Sequence, residues 1–190
     1  MKAFVKLPAL FTIILFSFSS ATAQLKLNPR NTITADLTKV IDDYPSHFDN
    51  IIGEMIIQNP QSIDYQCNFK VTGAEECIIT RYTGKKNQVS SWQALMLTTE
   101  DFEEAKKKFK ALYNQLNNLS FKSMNLKGSY EVPIEEKKFT SVIFAFDPSS
   151  ESVKKLIVEL ILEAEQMDWK VKLLVYDRDR DDKERGEVIE

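Results

Sequence analysis

The stretch CNFKVTGAEEC carries the chain's only two cysteines, Cys67 and Cys77, and His47 is its only histidine. Thiols at this spacing could form a redox couple, supply half of a metal site, or close a bridge across a turn. A structural zinc site needs four ligands, normally cysteine and histidine. His47 leaves such a set one short, so no metal is expected. A redox couple prefers C-x-x-C at a helix start, where the thiol is acidified, and neither spacing nor context fits. The bridge fits a hairpin. With Val71, Thr72 and Gly73 as its three loop residues, Lys70 pairs with Ala74 and Cys67 falls opposite Cys77. Gly73 then takes the left-handed position that a type I turn plus bulge requires. A disulfide between Cys67 and Cys77 is therefore the expectation for an oxidising compartment.

Other chemistry is sparse. His47 follows Tyr44-Pro45-Ser46 in a turn, with no nucleophile or orienting carboxylate near it in sequence, and reads as a solvated loop residue. No G-x-S-x-G, phosphate loop or H-E-x-x-H is present. Asp177, Asp179 and Asp181 imitate the start of a calcium loop, but Asp182 stands where glycine belongs and Val188 where a bidentate glutamate belongs. Glu103-Glu104 and Glu135-Glu136 are adjacent in sequence, which is not a glycosidase arrangement. No catalytic residue and no cofactor are assigned.

The compartment is read from the first residues, MKAFVKLPALFTIILFSFSSATAQ. Lys2 and Lys6 form a positive start, Leu7 to Phe18 is almost wholly apolar, and Ala21-Thr22-Ala23 is an A-x-A site. Residues 1–23 are expected to be a signal peptide cleaved before Gln24. The apolar run is shorter than the roughly 20 residues a membrane span needs. Residues 24–176 are expected to form one domain, followed by a charged tail over 177–190. The whole chain has a net charge of −3, and losing Lys2 and Lys6 takes the mature chain to about −5. That balance disfavours nucleic acid and anionic membrane surfaces as partners.

The elements that must position these residues follow from periodicity. A helix over 35–43, capped by Thr34, ends at Pro45. Residues 48–57 are taken as a strand. Ile63, Tyr65, Cys67, Phe69 and Val71 alternate with polar residues, as a half-buried strand does. Strands over 76–83 and 89–98 follow, joined by the polar turn GKKNQ. Phe102, Ala105, Phe109, Leu112, Leu116 and Leu119 step by 3 and 4 along a helix capped by Thr98 or Thr99. Residues 120–138 read as a loop with room for one strand. Residues 139–146 suit a strand buried on both faces. Val153, Leu156, Ile157, Leu160, Ile161, Ala164 and Met167 predict a second long helix over 149–167, and 169–176 a last strand. Strand, cap and helix thus recur at 92–116 and 141–166. The expected class is α+β: a mostly antiparallel sheet with two long amphipathic helices packed on one face.

If the cysteines share the core face, Ile78 and Tyr82 point the other way, and in one register Trp92 and Met96 join them. These four are the candidate binding surface. The run YQCNFKVTGAEECIITRY with SWQALMLTTEDFEEAKKKFKALYNQL, behind a leader ending SSATAQ, resembles small exported Bacteroidetes proteins of unknown function. That resemblance implies export to a bacterial envelope and no catalytic residues. The functional expectation is an exported, periplasmic or extracellular, non-enzymatic protein that binds a protein partner or a small ligand. The alternative is a small hydrolase or transferase using scattered carboxylates and hydroxyls.

Overall fold

The computed structural model describes residues 32–83 and 89–178. The predicted leader, the GKKNQ turn and the tail beyond Arg178 lie outside the described residues. Helix α1 (Thr32–Asp43) is followed by strands β1 (Ile52–Gln58), β2 (Ser62–Cys67), β3 (Glu76–Tyr82) and β4 (Val89–Thr99). Helix α2 (Phe102–Leu116) then leads into β5 (Ser120–Phe121), β6 (Met124–Gly128), β7 (Phe139–Asp147), β8 (Leu156–Glu165) and β9 (Asp168–Asp177). The strands form one nine-stranded antiparallel sheet in the order β1-β2-β3-β4-β9-β8-β7-β6-β5. Each half is a helix followed by a meander, and the two halves join through their last strands, β4 and β9.

The expected class, with two long helices on one face, is overturned. The apolar run over 149–167 is not a helix but a short 3-10 turn (Glu151–Val153) and then strand β8. LIVELIL satisfies both periods, because it is apolar at nearly every position. Its β-branched Ile157, Val158 and Ile161 favour extended backbone. Val158, Leu160 and Leu162 are buried in the main core, whereas Ile157 packs against Leu174 and Tyr176 on the opposite face, with half-buried Ile161 beside them. The turn to β9 is Gln166-Met167, with Gln166 at φ 60°. Neither residue is a turn signal, so nothing in the sequence marks the break. The recurring strand–cap–helix pattern disappears with that helix.

Other elements shift by smaller amounts. The strand expected to run to Val71 stops at Cys67, and Val71 turns in to be buried. Gly73 does take a positive φ, 80°. Helix α2 is capped not by Thr98 or Thr99 but by Asp101, whose Oδ1 accepts from Glu103 N at 2.8 Å and Glu104 N at 3.4 Å. Thr99 supports the cap, accepting from Asp101 N and donating to Glu104. The 3-and-4 stripe of α2 is buried at Phe102, Ala105, Phe109, Leu112 and Leu116, and α2 packs against β4, β9 and β8. Helix α1 buries Ile33, Leu37, Val40 and Ile41 in the same core.

Helix α1 also grips the loop between β2 and β3. The Asp36 carboxylate accepts from Thr72 N at 3.0 Å and Thr72 Oγ1 at 2.8 Å, and pairs with Lys39 at 3.1 Å. The Lys39 ammonium lies 5.5 Å from the Phe69 ring centroid. Burial pushes the Asp36 carboxyl up, but the Thr72 bonds and Lys39 outweigh it and leave the carboxyl below its ordinary value. A carboxyl depressed by folding stabilises above its unfolded pKa, and loses that contribution as pH falls through the folded one. Asp36→Ala should therefore cost about 1–2 kcal/mol at neutral pH. The gap to wild type in denaturant melts should close as pH drops below the usual carboxylate range. A gap that does not change with pH would mean that the charge is not what holds the loop.

Candidate functional site

Register decides which side chains meet. Across the buried face, Ile63 lies opposite Arg81, and Arg81 opposite Ser90. One step beyond the Ser91–Tyr176 pair, Ser90 lies across from Asp177, which in turn faces Leu156. Three polar residues from β3, β4 and β9 thus stand in one row on a face that is mostly apolar.

The loop after α1 reaches both ends of this row. Pro45 sits in a 3-10 turn (Tyr44–Ser46), and His47 and Phe48 both take left-handed backbone, φ 56° and 65°. Phe48 is fully buried and anchors the loop. Asp43, also buried, accepts from the Asn50 amide at 3.1 Å and from the Asn50 side chain. So held, the loop presents two groups. Tyr44 OH donates to Asp177 Oδ2 at 2.7 Å. Asp49 pairs with Arg81 Nη2, and the Arg81 guanidinium lies 5.3 Å from the Tyr65 ring centroid. His47 is exposed, and its backbone N–H donates to Tyr44 O.

Among the described residues, three buried side-chain nitrogen or oxygen atoms lack a hydrogen-bond partner: Arg81 Nε, Ser90 Oγ and Trp92 Nε1. All three residues lie on this face, on the paired strands β3 and β4, and Arg81 and Ser90 oppose each other directly. Ser90 is only 3% exposed. A buried polar group without a partner costs about 1–3 kcal/mol, so native structures rarely keep one without a reason. Arg81 Nε and Trp92 Nε1 can only donate, and Ser90 Oγ can donate. Arg81 is less than fully buried and Asp49 is largely exposed, so the row opens to solvent at that end.

The residues singled out from sequence do not form one surface. Ile78 and Tyr82 lie on the outer face, half-buried, with Tyr82 OH 3.2 Å from Ser91 Oγ. Trp92 and Met96 belong to the buried core, at 0% and 2% exposure. The Cys77–Ala94 pairing fixes this, because it turns Trp92, Ala94 and Met96 toward the cysteine side of the sheet. One step beyond the Gln66–Ile78 pair, Cys67 lies across from Cys77, and both are unbonded thiols in this structure. Among the described residues no three histidine, cysteine, aspartate or glutamate side chains cluster as metal ligands. A groove of about 310 Å³ lies between α1 and the end of α2, lined by Thr34, Thr38, Gln115 and Asn118 among others. It contains no charged side chain.

Sequence reading missed the polar row because its three members come from three separate strands, with the loop after α1 supplying partners for Arg81 and Asp177. The usable signal was Ser90-Ser91, two small polar residues opening a strand that is otherwise apolar through Leu97 except for Gln93. No protein-family model, curated protein or solved structure matches the chain.

Proposed function

We propose that this chain is exported and acts by binding, and that it takes a small uncharged ligand at the row Arg81–Ser90. The observation that carries the reading is the pair of directly opposed, buried donors, Arg81 Nε–H and Ser90 Oγ–H, with no acceptor. Donors without an acceptor suit a ligand oxygen. The local charges select its kind. Asp49 offsets Arg81, and Asp177 adds a further carboxylate at the other end of the row. A free anion would meet repulsion there, while a carbonyl or hydroxyl oxygen would not. Tyr65, stacked on the guanidinium, offers an apolar ring at the open end. The leader supports export, and the absence of any nucleophile–base pair from the sequence supports binding over catalysis.

Native mass spectrometry of the mature protein recovered from an exporting host tests this. Wild type should carry a small non-covalent adduct. Ser90→Ala should lower its occupancy about tenfold, the worth of one hydrogen bond, and Arg81→Met should abolish it. An adduct indifferent to both substitutions, or no adduct in wild type, would refute the reading.

A further inference from the structure

The two faces of the sheet are covered unequally. Both helices bury their apolar stripes in the core on one face. On the other face the β8–β9 register sets Tyr176 beside Ile157 and Leu174 beside Glu159. The apolar cluster there draws its members from β8 and β9 and none from a helix or loop. An antiparallel sheet can leave such a face in water. Toward β7 this one is in water, with Ile143, the partner of Glu159, 49% exposed. Yet Tyr176 is 0% exposed and Leu174 5%, and Ile157 and Glu159 are buried beside them. Val89 and Ser91, next on β4, are buried as well. Neighbouring strands do not hide a tyrosine ring that stands off a sheet, so the patch has a cover. The cover is local, over the end of the sheet nearest Asp177.

We propose that this patch is the seat of the chain's own C-terminal segment, residues 179–190. Arg178 N donates to Lys155 O at 2.8 Å, so the chain leaves β9 still paired with β8, beside Ile157 and Tyr176. The segment that follows reaches roughly 40 Å when extended. The ten residues of β9 span roughly 33 Å, so it can turn back over the whole patch. Other parts of the chain fit less well. Helix α1 starts on the opposite face, and Asp36 ties it to Thr72 at the far end of the sheet. Residues 84–88 are tethered at both ends by β3 and β4, two strands away from β8.

Charge and polarity agree with this occupant. Lys155 is exposed where the segment begins, and Asp179, Asp181 and Asp182 are its first acids. Deeper in the patch, buried Glu159 accepts from Tyr176 OH at 2.8 Å. A buried carboxylate favours cations over it, and the segment carries Arg180, Lys183 and Arg185. Its one apolar pair, Val188 and Ile189, suits the exposed side of Leu174 and Ile157. On this assignment residues 179–190 belong to the folded domain and are not a solvated tail.

Hydroxyl-radical footprinting of the purified protein, read by mass spectrometry at Tyr176 and Leu174, tests the seat. Ile143, exposed in either case, is the internal control. A chain ending at Arg178 should be oxidised at Tyr176 and Leu174 several times faster than the full-length chain. Val188→Ser with Ile189→Ser in the full-length chain should raise the rate in the same direction by less. Equal rates in the full-length and shortened chains would overturn the proposal. So would protection of the full-length chain that falls on dilution, because the cover would then be a second copy. If the shortened chain does not melt cooperatively, the full-length double variant decides, and an unchanged rate at Tyr176 rejects the seat.

Discussion

Replacing Trp92 with alanine should lower the unfolding free energy by about 3–5 kcal/mol, the usual cost of emptying a large aromatic site in a core. Trp92 is fully buried on β4, opposite Ile79 on one side and Val175 on the other. Its ring bridges the two halves of the sheet at the strand where they meet. The neighbouring strands are held by ladders on both sides, so the cavity cannot collapse cheaply. Tyr82→Phe, on the outer face, removes the hydroxyl contact to Ser91 and should cost about 1 kcal/mol. Urea melts of the two variants separate the assignments. Similar small losses from both would put Trp92 on a solvent-accessible surface, as one register considered from sequence would have it.

An alanine scan through β8 should show a period of two. Leu160→Ala and Leu162→Ala remove fully buried side chains from the core face and should each cost about 2–5 kcal/mol. Ile161→Ala, half-buried on the outer face, should cost less than either. A helix would give a different profile, with Leu160 and Ile161 sharing one stripe and Leu162 lying off it. Equal losses at 160 and 161 with little at 162 would restore the helix.

That contrast shows where the sequence carries information and where it does not. Helix α2 is legible because charged residues between Phe102 and Leu116 leave only one apolar stripe, so only one period fits. The β2–β3 register is legible because Ile63, Tyr65 and Cys67 alternate cleanly and Gly73 marks the turn. In β8 the apolar residues are too dense to show a period. A strand buried between β7 and β9 with apolar groups on both faces must look like that, and so can a buried helix. The polar row is illegible for another reason. Tyr44, Asp49, Arg81, Ser90 and Asp177 are unremarkable in their own segments. Only the pairing of β4 with β9, far apart in the chain, brings Ser90 and Asp177 together. No local pattern encodes that pairing.

The same pairing gives the account its sharpest check. Backbone amide shifts of the isotopically labelled protein can be recorded while a panel of small uncharged amides and sugars is titrated in. Any binder should perturb Tyr65, Arg81 and Ser90 first, and Ser90→Ala should weaken the effect. Perturbations centred on the groove by Thr38, Gln115 and Asn118, with the Arg81–Ser90 row unmoved, would contradict it.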